Sequence, residues 1–102
     1  MERALPANGA RGEVLAPLAG GQRRLCLTLG ALAEIETALG VEGLEALAER
    51  MRALSAHDLT AVLAALLRGG GERALADELW TAAVDPREAA EAVVKTFAAA
   101  SG

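Results

Sequence analysis

The sequence predicts an α+β domain in which an N-terminal two-stranded β-hairpin precedes four to five short α-helices. Apolar and polar residues alternate on both sides of Gly20 and Gly21, as they do in a half-buried hairpin. From Leu32 onward the apolar residues recur instead at the three- and four-residue spacing of an amphipathic helix. The stretch Leu25–Gly40 contains this change of period, and the other elements can be arranged around it.

The hairpin is predicted over residues 13–28, with Gly20 and Gly21 in the turn, because glycine tolerates the positive φ angles of a tight turn. This turn would place Ala16 opposite Leu25 and make one face of the hairpin apolar. A hairpin of two strands is marginal in water by itself, so its apolar face is expected to pack on the helices.

The residues on either side of the hairpin suggest the limits of the domain. Residues 1–11 show no period of a helix or a strand, and we predict a flexible N-terminal arm there. Residues 12–100 are predicted to form one domain, since 102 residues suit a single small domain. Pro17 cannot donate a backbone hydrogen bond, so the first strand is expected at an edge of the sheet, with Pro17 opposite Arg24.

Five helical segments are predicted after the hairpin, at about 30–39, 42–54, 56–68, 73–83 and 86–99. The third has the widest apolar stripe and is expected at the centre of the core; its stripe consists of Leu59, Val62, Leu63, Leu66 and Leu67.

Capping residues mark the ends of these helices. Gly40 is expected in the left-handed conformation after the first helix. Ser55 and Asp58 predict a capping box at the start of the third helix. The triplet Gly69–Gly71 is expected to end that helix and to form a flexible joint. Pro86 suits the first position of the last helix.

Composition and charge limit the class of protein. Residues 29–102 contain six basic and twelve acidic side chains, and their net charge of −6 disfavours binding to nucleic acid. No apolar run approaches the roughly 20 residues of a membrane span, and the N-terminus lacks the apolar core of a signal peptide. Cys26 is the only cysteine, so no internal disulfide is expected. We therefore expect a cytoplasmic protein with no nucleic-acid or membrane partner.

The sequence contains no grouping that indicates catalysis. His57 is the only histidine and lies in the first turn of a predicted helix, where a surface role is expected for it. One histidine and one cysteine are too few for a typical zinc site. Glu72 and Arg73 follow the triplet Gly69–Gly71, where a phosphate-binding loop has Lys and Ser or Thr. We expect no catalytic, cofactor-binding or metal-binding residues, and no enzymatic activity.

Two groups of residues are candidates for binding a partner. Leu75, Leu79 and Trp80 are grouped by helical spacing, and tryptophan is enriched at binding hot spots. Arg23 and Arg24 form the basic pair of the hairpin, next to an acidic helical body. A partner helix in a groove is favoured over an added strand, because the proline of the first strand removes a backbone donor.

Several stretches of the chain resemble a small tail-protein family of gene transfer agents and tailed phages. This family is grouped with phage tail assembly chaperones, and some of its members are named tail tube protein. The resemblance covers roughly residues 12–97 and lies in the order of four stretches: Arg11–Val14, the LTLGALAEIE block of Leu27–Glu36, Ala38–Gly40 and Leu67–Gly71.

The resemblance implies an α+β domain with an N-terminal hairpin and a non-enzymatic role. A tail assembly chaperone would bind the tape-measure protein, tail tube subunits or both, in the cytoplasm where particles assemble. The alternative in the same system is a structural tail tube component that is retained in the particle. An alternative of another class is a small bacterial regulatory adaptor or antitoxin-like domain. A homo-oligomer is left open.

Overall fold

A two-stranded antiparallel sheet and five helices make up residues 12–101, the part of the chain that the computed structural model describes. The predicted α+β class is confirmed. The predicted arm, residues 1–11, lies outside the described residues. The elements in order are β1 (Glu13–Leu18), β2 (Gly21–Cys26), α1 (Leu29–Leu39), α2 (Leu44–Met51), α3 (Ala56–Gly69), α4 (Arg73–Glu78) and α5 (Pro86–Ser101).

Helix α3 lies at the centre of the core. Its residues from Val62 to Leu67 are all buried, and it packs against α1, α4, α5 and β2. The hairpin contributes Leu18 and Leu25, and α1 contributes Ile35; all three side chains are fully buried. The wide apolar stripe of the third helix therefore indicated the centre of the core correctly.

The turn of the hairpin lies one residue earlier than the sequence predicts. Ala19 and Gly20 have the positive φ angles, 52° and 81°, while Gly21 belongs to β2 and pairs with Leu18. The guanidinium of Arg23 donates to the carbonyls of Leu18 and Ala19, at 3.0 and 3.2 Å. These two hydrogen bonds hold the turn in place and help to offset the strain of a left-handed alanine.

The register of the hairpin shifts with the turn. Ala16 pairs with Arg23 and not with Leu25, and Pro17 pairs with Gln22 and not with Arg24. Because moving a turn by one residue moves the register by two, the same residues still face the core. The predicted pairs were therefore wrong, while the predicted apolar face is present.

Two valine substitutions test the position of this turn. We expect Gly20→Val to destabilise the protein by about 1–2 kcal/mol, because a β-branched residue is strained in the left-handed region. Gly21→Val is expected to be well tolerated, since a β-carbon there would meet only the Arg23 side chain, at 3.6 Å. Thermal unfolding followed by circular dichroism measures both. A larger loss for Gly21→Val would contradict the turn described here.

The helix bounds differ from the predicted ones mainly in α2 and α4. Helix α2 begins at Leu44, after Gly43, whose φ of 92° excludes it from a helix. Helix α4 ends at Glu78, five residues earlier than predicted, and α5 continues to Ser101. Gly40 follows α1 with φ 71°, as expected, and its N–H bonds to carbonyls of the last turn.

Of the two hydrogen bonds of the predicted capping box before α3, one is present. The Ser55 hydroxyl accepts from the Asp58 backbone N–H at 3.0 Å. The Asp58 carboxylate does not return to Ser55, because it accepts from Arg50 at 2.5 Å. The same guanidinium donates to the Leu39 carbonyl at 2.6 Å, so Arg50 ties α2 to the end of α1 and the start of α3.

The glycine triplet after α3 permits close packing against β2. A β-carbon on Gly69 would overlap the Cys26 carbonyl oxygen, and one on Gly70 would overlap the Arg24 carbonyl oxygen. Gly71, with φ 90°, ends the helix in a Schellman motif, in which the Glu72 N–H bonds to the Leu67 carbonyl at 2.8 Å. The first two glycines let α3 end directly against β2, which the sequence did not indicate, and the flexibility of this joint stays a prediction.

Both outer edges of the hairpin are occupied by neighbouring groups. On the β2 edge, the Arg24 backbone N–H donates to the Glu72 carboxylate at 2.9 Å. On the β1 edge, the Lys95 ammonium donates to the Leu15 carbonyl at 2.9 Å, and Pro17 has no N–H to offer. The sheet therefore presents little free backbone to which a partner could add a strand.

Candidate protein-binding groove

An apolar groove of about 680 Å³ lies between α2 and α5. Its volume falls within the range of roughly 300–1,000 Å³ that is usual for binding clefts. Leu54, from the segment before α3, and Leu59, from the first turns of α3, also line the groove. The main side chains of the two walls are Leu44, Leu47 and Met51 from α2, and Val93, Val94 and Phe97 from α5.

The spacing of these residues explains why they share one surface. In α2 they recur at intervals of three and four residues, and in α5 Val93 and Val94 lie four and three residues before Phe97, so each set lies along one side of its helix. Leu47 and Val93 are buried, at 2% exposure each, while Leu44 and Val94 are 67% and 68% exposed. The groove thus has a buried interior and two large aliphatic side chains that remain open to solvent.

The α2 wall of the groove is acidic on its solvent side. Glu45 and Glu49 are exposed. Arg50, the basic residue within α2, instead turns to the Leu39 carbonyl and Asp58. Arg52, just after the helix, lies 4.0 Å from the Glu49 carboxylate. The α2 side therefore favours a ligand that carries basic groups beside an apolar face.

The three residues singled out in the predicted fourth helix do not line this groove. Leu75 and Leu79 are buried in the core at 7% and 6% exposure, so neither offers a surface in this conformation. Trp80 is 59% exposed, and its ring centroid lies 5.0 Å from that of His57. Of the three, Trp80 alone is accessible to a partner, and its part in binding stays a prediction.

The two arginines of the hairpin have different surroundings. Arg23 is engaged with the carbonyls of the turn. The Arg24 side chain is 53% exposed and lies 3.8 Å from the Glu13 carboxylate. An exposed pair of this kind contributes little to stability, so Arg24 keeps most of its freedom to meet another group. Binding through either arginine is likewise still a prediction.

Sequence analysis predicted the two helices that correspond to α2 and α5 but did not find the groove between them. One signal was present in α5, where Val93 and Val94 are adjacent. Neighbouring residues in a helix point about 100° apart, so both valines cannot face one core. The position of α2 carried no such signal, because it depends on the contacts of Arg50 with two other elements.

The described residues show neither a metal cluster nor a membrane helix. Within residues 12–101, no three His, Cys, Asp or Glu side chains gather in a way that could hold a metal ion. No helix in the same range has the length and hydrophobicity of a membrane span. The apolar groove between α2 and α5 is therefore the candidate functional site.

A small α+β domain with an open apolar groove and closed sheet edges has the features of a polypeptide-binding domain. The family comparison is specific: the chain belongs to the family described as phage tail tube protein, GTA-gp10, whose model matches residues 11–101. No curated protein and no solved structure matches the chain. The resemblance to a tail family of gene transfer agents and phages is thereby confirmed, and the chain is a tail-related protein.

Proposed function

We propose that the protein is a non-enzymatic tail assembly chaperone that binds an amphipathic helix of the tape-measure protein in the groove between α2 and α5. It would act in the cytoplasm while the particle is assembled, and would bind neither nucleic acid nor membranes. The observation that carries the proposal is the groove itself, with Leu44 and Val94 open to solvent in a protein of a tail family.

The mode of binding is supported by the closed edges of the hairpin. Strand addition needs a row of free N–H and C=O groups along an edge. Glu72 and Gly70 cover part of the β2 edge, and Lys95 and Pro17 limit the β1 edge. A helix needs no such edge, because its own backbone hydrogen bonds are internal.

The dimensions and charge of the groove suit a helical ligand. The α5 wall runs from Ala90 to Ser101, which corresponds to about 17 Å or three helical turns. An apolar stripe of that length on a partner helix would cover Leu44 and Val94. Basic residues beside the stripe would meet Glu45 and Glu49 on the α2 side.

The decisive experiment measures binding of the purified tape-measure protein by titration calorimetry. We expect Val94→Asp to weaken binding at least tenfold, or about 1.4 kcal/mol, because it places a charge in the apolar contact. The variant should keep the parent's circular dichroism spectrum, since Val94 is largely exposed.

Leu29→Asp is the matched control for this substitution. Leu29 is 85% exposed and does not line the groove, so the same kind of change there should leave binding as in the parent. Equal affinities of the parent and Val94→Asp would reject the groove as the site. Binding of tube subunits alone, with none of the tape-measure protein, would reject the partner proposed here.

A second candidate function is a structural component of the tail tube. The family description, which names a tail tube protein, favours it. Mass spectrometry of mature particles separates the two functions, because a chaperone is expected to be absent from the finished tail. Its presence in stoichiometric amounts would support the structural function.

A further inference from the structure

A second, smaller cavity lies beside the groove, between the start of α3, the segment after α4 and the start of α5. Its volume is about 140 Å³, close to the roughly 150 Å³ of an apolar cavity that binds benzene. We infer that this cavity receives one leucine- or phenylalanine-sized side chain of the helix that binds in the groove, and that Trp80 contacts that side chain. This inference rests on the proposed function, because it adds an anchor for the same partner.

The cavity and the groove adjoin each other on the surface of the domain. Leu59 of α3 lines both of them. On α5, Ala89 lines the cavity and Ala90 lines the groove, so the two sites meet within one helical turn. A partner helix that extends one turn beyond the groove at this end would therefore bring a side chain to the cavity.

The interior of the cavity is apolar, and exposed residues lie at its mouth. Leu63 and Leu79 are buried in its wall, at 2% and 6% exposure. Ala56 and Pro86 also line it and are exposed to solvent. The hydroxyl of Thr60, a polar lining residue, already donates to the Ala56 carbonyl at 2.8 Å. The cavity therefore favours an apolar side chain, which gains free energy when it leaves water.

Trp80 and His57 lie next to this cavity on two different elements. Trp80 follows the lining residue Leu79 in the chain, and His57 follows the lining residue Ala56. The two ring centroids are 5.0 Å apart, and Trp80 is still 59% exposed. A tryptophan beside an apolar pocket is typical of a binding hot spot. The open part of the Trp80 ring is therefore available to pack on the side chain that enters.

The charge around the cavity favours the same ligand as the groove does. Residues 77–88 contain four acidic side chains and one basic side chain. Glu78 and Asp85 adjoin lining residues in the chain and are exposed, as Glu45 and Glu49 are beside the groove. A helix with basic residues beside its apolar stripe is therefore favoured along the whole length of the two sites.

Fluorine NMR of the full chain labelled with 5-fluorotryptophan tests the inference. Trp80 is the only tryptophan, so the labelled protein gives one signal whatever an unlabelled partner contains. We expect this signal to shift when the purified, unlabelled tape-measure protein is added. Ala82→Leu, which fills the cavity, should reduce the shift and weaken binding at least fivefold in titration calorimetry. Ala83→Leu is the matched control, since Ala83 is exposed and does not line the cavity, and it should behave as the parent.

Circular dichroism shows whether each variant keeps the fold of the parent. If Ala82→Leu does not fold, Trp80→Ala takes its place, because Trp80 is largely exposed, and it should also weaken binding at least fivefold. Binding of the tape-measure protein with an unshifted Trp80 signal would overturn the inference and leave the proposed function in place. Parent affinity in the folded cavity variant or in Trp80→Ala would overturn it as well. No binding to the parent would reject the proposed function and this inference together.

Discussion

Replacing Gly70 with alanine is expected to destabilise the protein by about 1–3 kcal/mol or more, as inserting an atom into a tightly packed contact does. The added β-carbon would overlap the Arg24 carbonyl oxygen and lie 2.9 Å from the Leu25 backbone nitrogen. Gly70 has φ −91° and ψ 0°, a conformation open to alanine, so the loss would come from the clash with β2. Urea unfolding followed by circular dichroism measures the change.

Gly30→Ala is the matched control for this prediction. Gly30 lies inside α1, and a β-carbon there would meet only the Thr28 hydroxyl, at 3.8 Å. Alanine is expected to stabilise the helix by about 0.5–1 kcal/mol, since it loses less backbone freedom on folding. If Gly70→Ala unfolds at the same urea concentration as the parent, the close approach of α3 to β2 is wrong.

Leu66→Ala is expected to cost about 2–5 kcal/mol, because it leaves a cavity at the centre of the core. Leu66 is fully buried in α3, the helix that packs against both the hairpin and three other helices. A small domain has only about 5–15 kcal/mol of stability in total, so this loss would be a large share of it. Thermal and urea unfolding of the purified variant measure the loss.

Leu29→Ala gives the comparison for this core substitution. The same side chain is removed, but Leu29 is 85% exposed, so the change in stability should stay within about 0.5 kcal/mol. Similar unfolding curves for the two variants would mean that α3 does not hold the centre of the core.

Features set by neighbouring residues were predicted from the sequence, and features set by distant ones were not. The apolar stripe of α3 and the left-handed Gly40 depend on residues within one or two helical turns, and both were found. The turn at Ala19 was missed because the Arg23 side chain stabilises a conformation that alanine alone disfavours.

The packing contact of the glycine triplet and the groove were both missed, and for the same reason. Glycines at a helix end indicate a stop, and only the position of β2 shows that Gly69 and Gly70 are needed for contact. The stripes on α2 and α5 indicate apolar faces, but the distance between the two helices decides whether those faces meet. Arg50 contributes to the position of α2 through hydrogen bonds to Leu39 and Asp58, which lie 11 and 8 positions away in the chain.

Helix α2 is held to the rest of the domain by fewer contacts than α3. It packs less closely on the other elements than α3 does, and its attachment consists largely of Leu47 and the contacts of Arg50. Segments with few buried contacts open at low free energy, while core helices open only with the whole domain. Amide hydrogens of α2 would therefore exchange with solvent well before those of α3. We expect α2, one wall of the groove, to open and close while the rest of the domain stays folded. A ligand would enter the groove when α2 is open, and the bound ligand would slow the next opening of α2.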